Sequence, residues 1–250
     1  MKSLLIANWK MNPPTFAEAK KLLEATKKAA DSAKNVTFIV TPPAIFLRQL
    51  RGGYRGKRIA FGVQNAHPEP KGSFTGEISL LQAKDAGATY VIIGHAERRA
   101  MGETNEETRV KVSAAVALGM YPILCVGETA RTHEGDYFAF IKEELRAGFA
   151  EVAVAKVSRV TVAYEPIWAI GAATAMDPRD MHEMAIFIRK SLVELYGEKA
   201  MAVRILYGGA IGAENAVAML THGDIAGLLV GRASADPVKL TELARSIKQL

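Results

Sequence analysis

Short apolar runs recur along the chain, each followed by a longer stretch in which apolar residues return every three or four positions. The runs are LLIAN, VTFIV, RIAFGV, YVIIG, YPILCV, VTVAYE, VRILY and AGLLVG. Several are apolar without alternation, the pattern of strands buried on both faces. The stretches between them read as helices. Met181, Met184, Ile188, Leu192 and Leu195 are spaced 3, 4, 4 and 3 apart, and Leu240, Leu243, Ile247 and Leu250 are spaced 3, 4 and 3. Either spacing lays one apolar stripe along a helix, enough to cover a sheet. Asp177-Pro178 gives the first of these helices an N-cap and an N1 proline.

Eight strand-then-helix units imply parallel strands joined by right-handed crossovers. At 250 residues they favour an α/β fold of the closed (β/α)8 type over an open doubly wound sheet. No linker, low-complexity tract or break in composition interrupts residues 1–250, so one domain is expected. A barrel of this kind carries its chemistry where strands end and loops begin, at the C-terminal rim. Those positions hold Asn8 and Lys10, Gln64 and Asn65, His95, Glu128, Glu165, and two glycine-rich loops after the last two strands.

Composition narrows the classes. Hydrophobic residues make up 49% and charged residues 23% of the chain, as in a soluble globular protein with ample core. No run approaches the ~18 apolar residues of a membrane span. The opening MKSLLIANWKMN has too short an apolar run for a signal peptide. Cys125 is the only cysteine, so no internal disulfide can form; a cytoplasmic location and an inert core thiol are expected. The net charge of +6 is uneven, with 12 Lys or Arg against 3 Asp or Glu in residues 1–60. A basic face could attract nucleic acid, but EAKKLLEATKKAA spaces its lysines as a solvated helix face would. No nucleic-acid or membrane partner is expected.

Candidate chemistry sits in three places. His95 follows a core strand, where it reads either as a polar turn residue or as a group facing a reaction. ILYGGAIGAEN (205–215) and LLVGRASAD (228–236) share one grammar: a strand, a glycine, then small residues opening a helix. Either alone is an ordinary turn. Together in adjacent final units of a barrel they suit a phosphate group, held by backbone N–H groups at helix starts. Neither is a dinucleotide fingerprint or a Walker loop. Finally, Glu165 precedes PIWAIGAATA, an apolar loop where a surface connection would be polar. Such a loop reads as a lid, and a carboxylate beneath it is partly desolvated, which suits it to take up a proton.

ANWKMN, QNAHPEPKGSFTGEIS, GHAERR, CVGET, AYEPIWAIG and LYGGAIGAENA, in this order, strongly resemble the triosephosphate isomerases, across residues 4–248. The resemblance implies a TIM barrel interconverting dihydroxyacetone phosphate and glyceraldehyde 3-phosphate, without metal or organic cofactor. It implies that Glu165 moves the proton and that His95, as neutral imidazole, bonds to the oxyanion. Lys10 would supply fixed positive charge, Asn8 would orient the substrate oxygen, and Glu97 would steady Lys10. The N–H groups of Gly171, Ala210, Gly231 and Arg232 would bind phosphate, and Ile170 and Leu229 would press on Glu165. It also implies a homodimer through loop 64–79. The five histidines show no metal-ligand spacing of their own.

The chain departs from the family pattern at several positions. Ala96 and Ala210 stand where the family has serines, Ala172-Ala173-Thr174 replaces Thr-Gly-Lys at the lid's second hinge, and Arg232 replaces a common glycine. The acid-base residues are intact and the lid's latch is altered. Two other readings remain: a lyase forming a Schiff base through Lys10, and a weakened relative acting as a phosphate- or nucleic-acid-binding scaffold.

Overall fold

The computed structural model describes residues 2–131, 135–170 and 175–250. Its eight apolar runs form eight parallel strands: β1 (Ser3–Asn8), β2 (Val36–Thr41), β3 (Ile59–Val63), β4 (Tyr90–Ile93), β5 (Tyr121–Val126), β6 (Thr161–Tyr164), β7 (Arg204–Tyr207) and β8 (Gly227–Val230). They pair in chain order and close into a barrel, with Leu4 of β1 opposite Gly227 of β8 and Ala7 opposite Val230. The outer wall is α1 (Phe16–Ser32), α2 (Ala44–Gly53), α3 (Leu80–Asp85), α4 (Ala96–Ala100), α5 (Asn105–Ala117), α6 (Asp136–Phe149), α7 (Pro178–Tyr196), α8 (Ala216–His222) and α9 (Pro237–Ser246).

The unbroken apolar runs are explained by two cores. Successive side chains on a strand point to opposite faces. Leu4, Ile6, Ile39, Ile92, Ile123, Cys125, Ala163, Leu206 and Leu229 pack together as the barrel's interior. Leu5, Ala7, Phe38, Val40, Val91 and Val162 join the larger layer beneath the helices. Deleting a large side chain from such a layer costs about 2–5 kcal/mol. A surface pair such as Lys27–Glu24, at 2.8 Å, contributes about 0–1 kcal/mol. Burial therefore closes this barrel, and the charge pattern does not. Cys125 is fully buried, and desolvation, with Glu165's charge adding, pushes its thiol well above the usual range.

The helix stripes are in place with two exceptions. Met181, Met184, Ile188, Leu192, Leu240, Leu243 and Ile247 are buried. Leu195 and Leu250 are exposed, because Leu195 lies in the last turn of α7 and Leu250 lies beyond the end of α9. Asp177 caps α7 as its sequence suggests, its side chain accepting from the Arg179 N–H at 2.8 Å ahead of Pro178. On α1, Lys20, Lys21 and Lys28 face solvent.

Candidate active site

At the C-terminal rim of the strands, Asn8, Lys10, His95, Glu97, Glu165, Ile170, Ala210, Leu229, Gly231 and Arg232 surround one cavity of about 460 Å³. These residues come from five different strand ends, so only closure of the barrel brings them together. Gly171, Ala172 and Ala173 lie outside the described residues. A larger groove of about 900 Å³ runs over α1, α2 and α9 on the outer wall. It shares no residue with the rim cavity, and its titratable lining is surface lysine, arginine and glutamate.

Lys10 sits just past β1 with φ of 52°, a conformation a side-chain-bearing residue adopts only when its surroundings hold it there. Two contacts do so. The Lys10 N–H donates to Asn8 Oδ1 at 3.0 Å, and Gln64 Nε2 donates to the Lys10 carbonyl at 2.8 Å. Its Nζ is 2.5 Å from Glu97 Oε1. A Cβ at position 231 would lie 3.1 Å from Lys10 Cε, so Gly231 gives the lysine stem its path. Sequence reasoning placed Gln64 at a strand end but gave it no role; its contact with Lys10 joins residues far apart in the chain.

His95 is the N-cap of α4, and its Nδ1 accepts from the Glu97 N–H at 3.1 Å. A nitrogen that accepts carries no proton, so the ring's proton is on Nε2. Nε2 is 3.3 Å from Glu165 Oε1. The Glu97 carboxylate, 3.9 Å from Nδ1, is correspondingly no ion-pair partner of a neutral ring. Glu165 is buried, and its Oε2 accepts from the Ala96 N–H at 3.0 Å. The missing family hydroxyl at position 96 therefore leaves the carboxylate with a backbone donor from the same residue. Gly208 is needed beside it, because a Cβ there would lie 2.7 Å from Glu165 Cγ.

The two glycine loops differ in construction. Asn215 braces the first, accepting from the Gly212 N–H at 3.1 Å and donating to the Ala210 carbonyl at 3.2 Å. A Cβ at Gly209 would overlap the Tyr207 hydroxyl, so this glycine serves packing as well as approach to a ligand. In the second, Gly231 caps a short 3-10 turn, Arg232–Ala235, and Arg232 is exposed.

Both described ends of the apolar loop are tied down. Trp168 Nε1 donates to Glu128 Oε1 at 2.9 Å, and the Tyr164 hydroxyl donates to the same carboxylate at 2.8 Å. Burial and the Glu128 charge push the Tyr164 hydroxyl well up, against Arg131, so it remains a donor. At the far end, the Met176 N–H donates to the Tyr207 hydroxyl at 3.1 Å. Tyr207 was not picked out from the sequence. Its only signal there was its place as the last residue of a strand, before two glycines. Among the described residues, no group of three or more His, Cys, Asp or Glu could hold a metal ion.

The sequence has counterparts among known proteins. The family model for triosephosphate isomerase matches residues 3–247. The chain belongs to the triosephosphate isomerase family. It is 40% identical to the triosephosphate isomerase of Endomicrobium trichonymphae over 99% of both chains. It is 39% identical to that of Symbiobacterium thermophilum over 96% of this chain and 94% of the other. It is 41% identical to that of a Roseiflexus species over 92% of each. The matched residues include every strand and every rim residue described above.

Proposed function

We propose that this protein interconverts dihydroxyacetone phosphate and D-glyceraldehyde 3-phosphate by moving one proton between adjacent carbons through an enediolate. The observation that carries the reading is the meeting of Glu165 Oε1, His95 Nε2–H and Lys10 Nζ around one cavity. Each has one task. Glu165 takes the proton from the carbon beside the carbonyl and returns it to the neighbouring carbon. As that proton leaves, negative charge moves onto the carbonyl oxygen, and His95 Nε2–H and Lys10 stabilise it there. Asn8 orients the substrate oxygen, while Glu97 and Gln64 hold Lys10. The phosphate sits against Ala210, Gly231 and Arg232. Ile170 and Leu229 keep water from Glu165. No atom is gained or lost, and these residues suffice without a metal or organic cofactor.

The rival lyase needs an amine with a free lone pair, and the Glu97 carboxylate bonded to Lys10 Nζ argues against it. An assay that couples glyceraldehyde 3-phosphate isomerisation to reduction of the product tests the proposal. Rapid turnover is expected, and its absence at micromolar enzyme would reject the reading.

The working unit in this reading is a homodimer in the cytoplasm. Loop 64–79 carries Phe74 at 43% exposure, and Met11 and Met101 are 92% and 77% exposed. A second cavity of about 220 Å³, lined by Lys10, Gln64, Asn65, His95, Arg98 and Met101, adjoins the catalytic one. A neighbouring subunit's loop would cover these apolar groups and fill this opening. Sedimentation at micromolar concentration should give twice the 27.0 kDa chain mass. A fully active species of single-chain mass would refute the dimer.

A further inference from the structure

Glu144 is buried in the outer wall, on α6, and does not line the catalytic cavity. Its two carboxylate oxygens nevertheless reach toward both sides of it. Oε2 accepts from the Gly127 N–H at 2.8 Å. Gly127 lies against the Glu165 backbone so closely that a Cβ there would overlap the Glu165 carbonyl oxygen, and the Glu165 N–H donates to Val126 O at 2.8 Å. The peptide that Glu144 grips is thus the one on which the base rests.

Oε1 lies 3.1 Å from Arg99 Nη1, in ion-pair range but off the line of an N–H bond. Arg99 Nε in turn donates to the Gly94 carbonyl at 2.9 Å, immediately before His95, and Arg99 Nη1 donates to Asn105 Oδ1 at 2.8 Å. From the other side, Glu103 Oε2 accepts from the Gly94 N–H at 3.2 Å. One carboxylate therefore joins the backbone beneath the base to the backbone beneath the histidine.

We propose that ionised Glu144 is a positioning residue for the isomerisation, fixing Glu165 relative to His95 through Gly127 and Arg99. This rests on the isomerase reading above. A buried ion pair is a poor stabilising device, since desolvation offsets the attraction. Here burial pushes the Glu144 carboxyl up to about 7, raised further by Glu128 and Glu165 and opposed by Arg99 and the Gly127 N–H. Several other charges around α6 are paired elsewhere. On α5, Lys111 pairs with Glu103, and Arg109 with Glu106 and Glu151; at the surface facing α7, Lys142 pairs with Glu194.

The sign follows from the raised value. Between the ordinary carboxyl value of 4.5 and about 7, the folded protein holds a proton that the unfolded chain has lost. Stability contributed by this group falls as pH rises through that window. The same rise in pH creates the charge that draws Arg99 in. Ionisation of Glu144 thus weakens the fold while ordering the site.

The test is Glu144→Gln, which keeps an acceptor for Gly127 and removes the charge. Turnover of the parent should fall as pH drops from 8 to 6, with an apparent midpoint near 7. The variant should be about five-fold slower at pH 8, the difference between a charged and a neutral pair. It should lack that inflection, with KM within about two-fold of the parent because phosphate contacts are untouched. Its urea midpoint should be close to the parent's at about pH 4, below the unfolded carboxyl's value, and exceed it at pH 8. A variant that is more stable and slower is the signature of positioning; a purely structural role would lower stability and leave the pH profile alone. Superimposable kcat profiles, or a stability difference that does not change with pH, would overturn the proposal. If neither protein isomerises the triose phosphates, the isomerase reading fails instead, while the stability comparison still reports whether Glu144 titrates.

Discussion

Glutamine in place of Glu165 is expected to lower kcat by about 10²–10⁴-fold, the range for losing a general base. The substitution is nearly isosteric, and its amide oxygen can still accept from the Ala96 N–H that now holds Oε2 at 3.0 Å. It adds no bulk against Gly208, whose missing Cβ leaves room for the side chain. The fold and the phosphate contacts should therefore survive, and KM should move little. What disappears is a group able to accept a proton from carbon. Steady-state kinetics in both directions, with circular dichroism and sedimentation of the same samples, separates these effects. A correctly folded Glu165→Gln protein with turnover within ten-fold of the parent would mean that another group is the base.

His95→Ala should cost about 10²–10³-fold in turnover, the usual price of removing a preorganised donor to a developing oxyanion. The argument depends on which nitrogen carries the proton. Because Nδ1 accepts from the Glu97 N–H at 3.1 Å, the donor is Nε2, on the Glu165 side of the ring. The same side chain caps α4, so alanine should also remove about 1 kcal/mol of stability through loss of the cap. Turnover and stability must be measured together for that reason. His95→Gln provides the control, since it keeps a donor while altering the ring's place at the helix start. A kcat for His95→Ala within a few-fold of the parent, at unchanged stability, would remove His95 from the reaction.

Much of the architecture was legible because it depends on local pattern. Unbroken apolar runs meant strands covered on both faces, and the spacing from Met181 to Leu192 meant a helix lying over them. Asp177-Pro178 fixed where that helix begins. The stripe reading overreached only at Leu195 and Leu250, which are exposed at a helix end and at the chain terminus. Spacing alone carries no information on where the surface beneath a helix stops.

The rim residues were legible for a different reason. A parallel barrel puts every strand's C-terminal end on one face, so Asn8, Lys10, His95 and Glu165 could be grouped by their place after a strand. Their partners could not. That Gln64 holds the Lys10 carbonyl, that Tyr207 and Glu128 accept from Met176 and Trp168, and that Glu144 bridges Gly127 and Arg99 are contacts between groups far apart in sequence. Hydrophobic periodicity fixes which face of an element is buried, because burial acts on the whole face. A hydrogen bond acts over 3 Å and one direction, so only the closed barrel, with its register set, decides which polar groups meet.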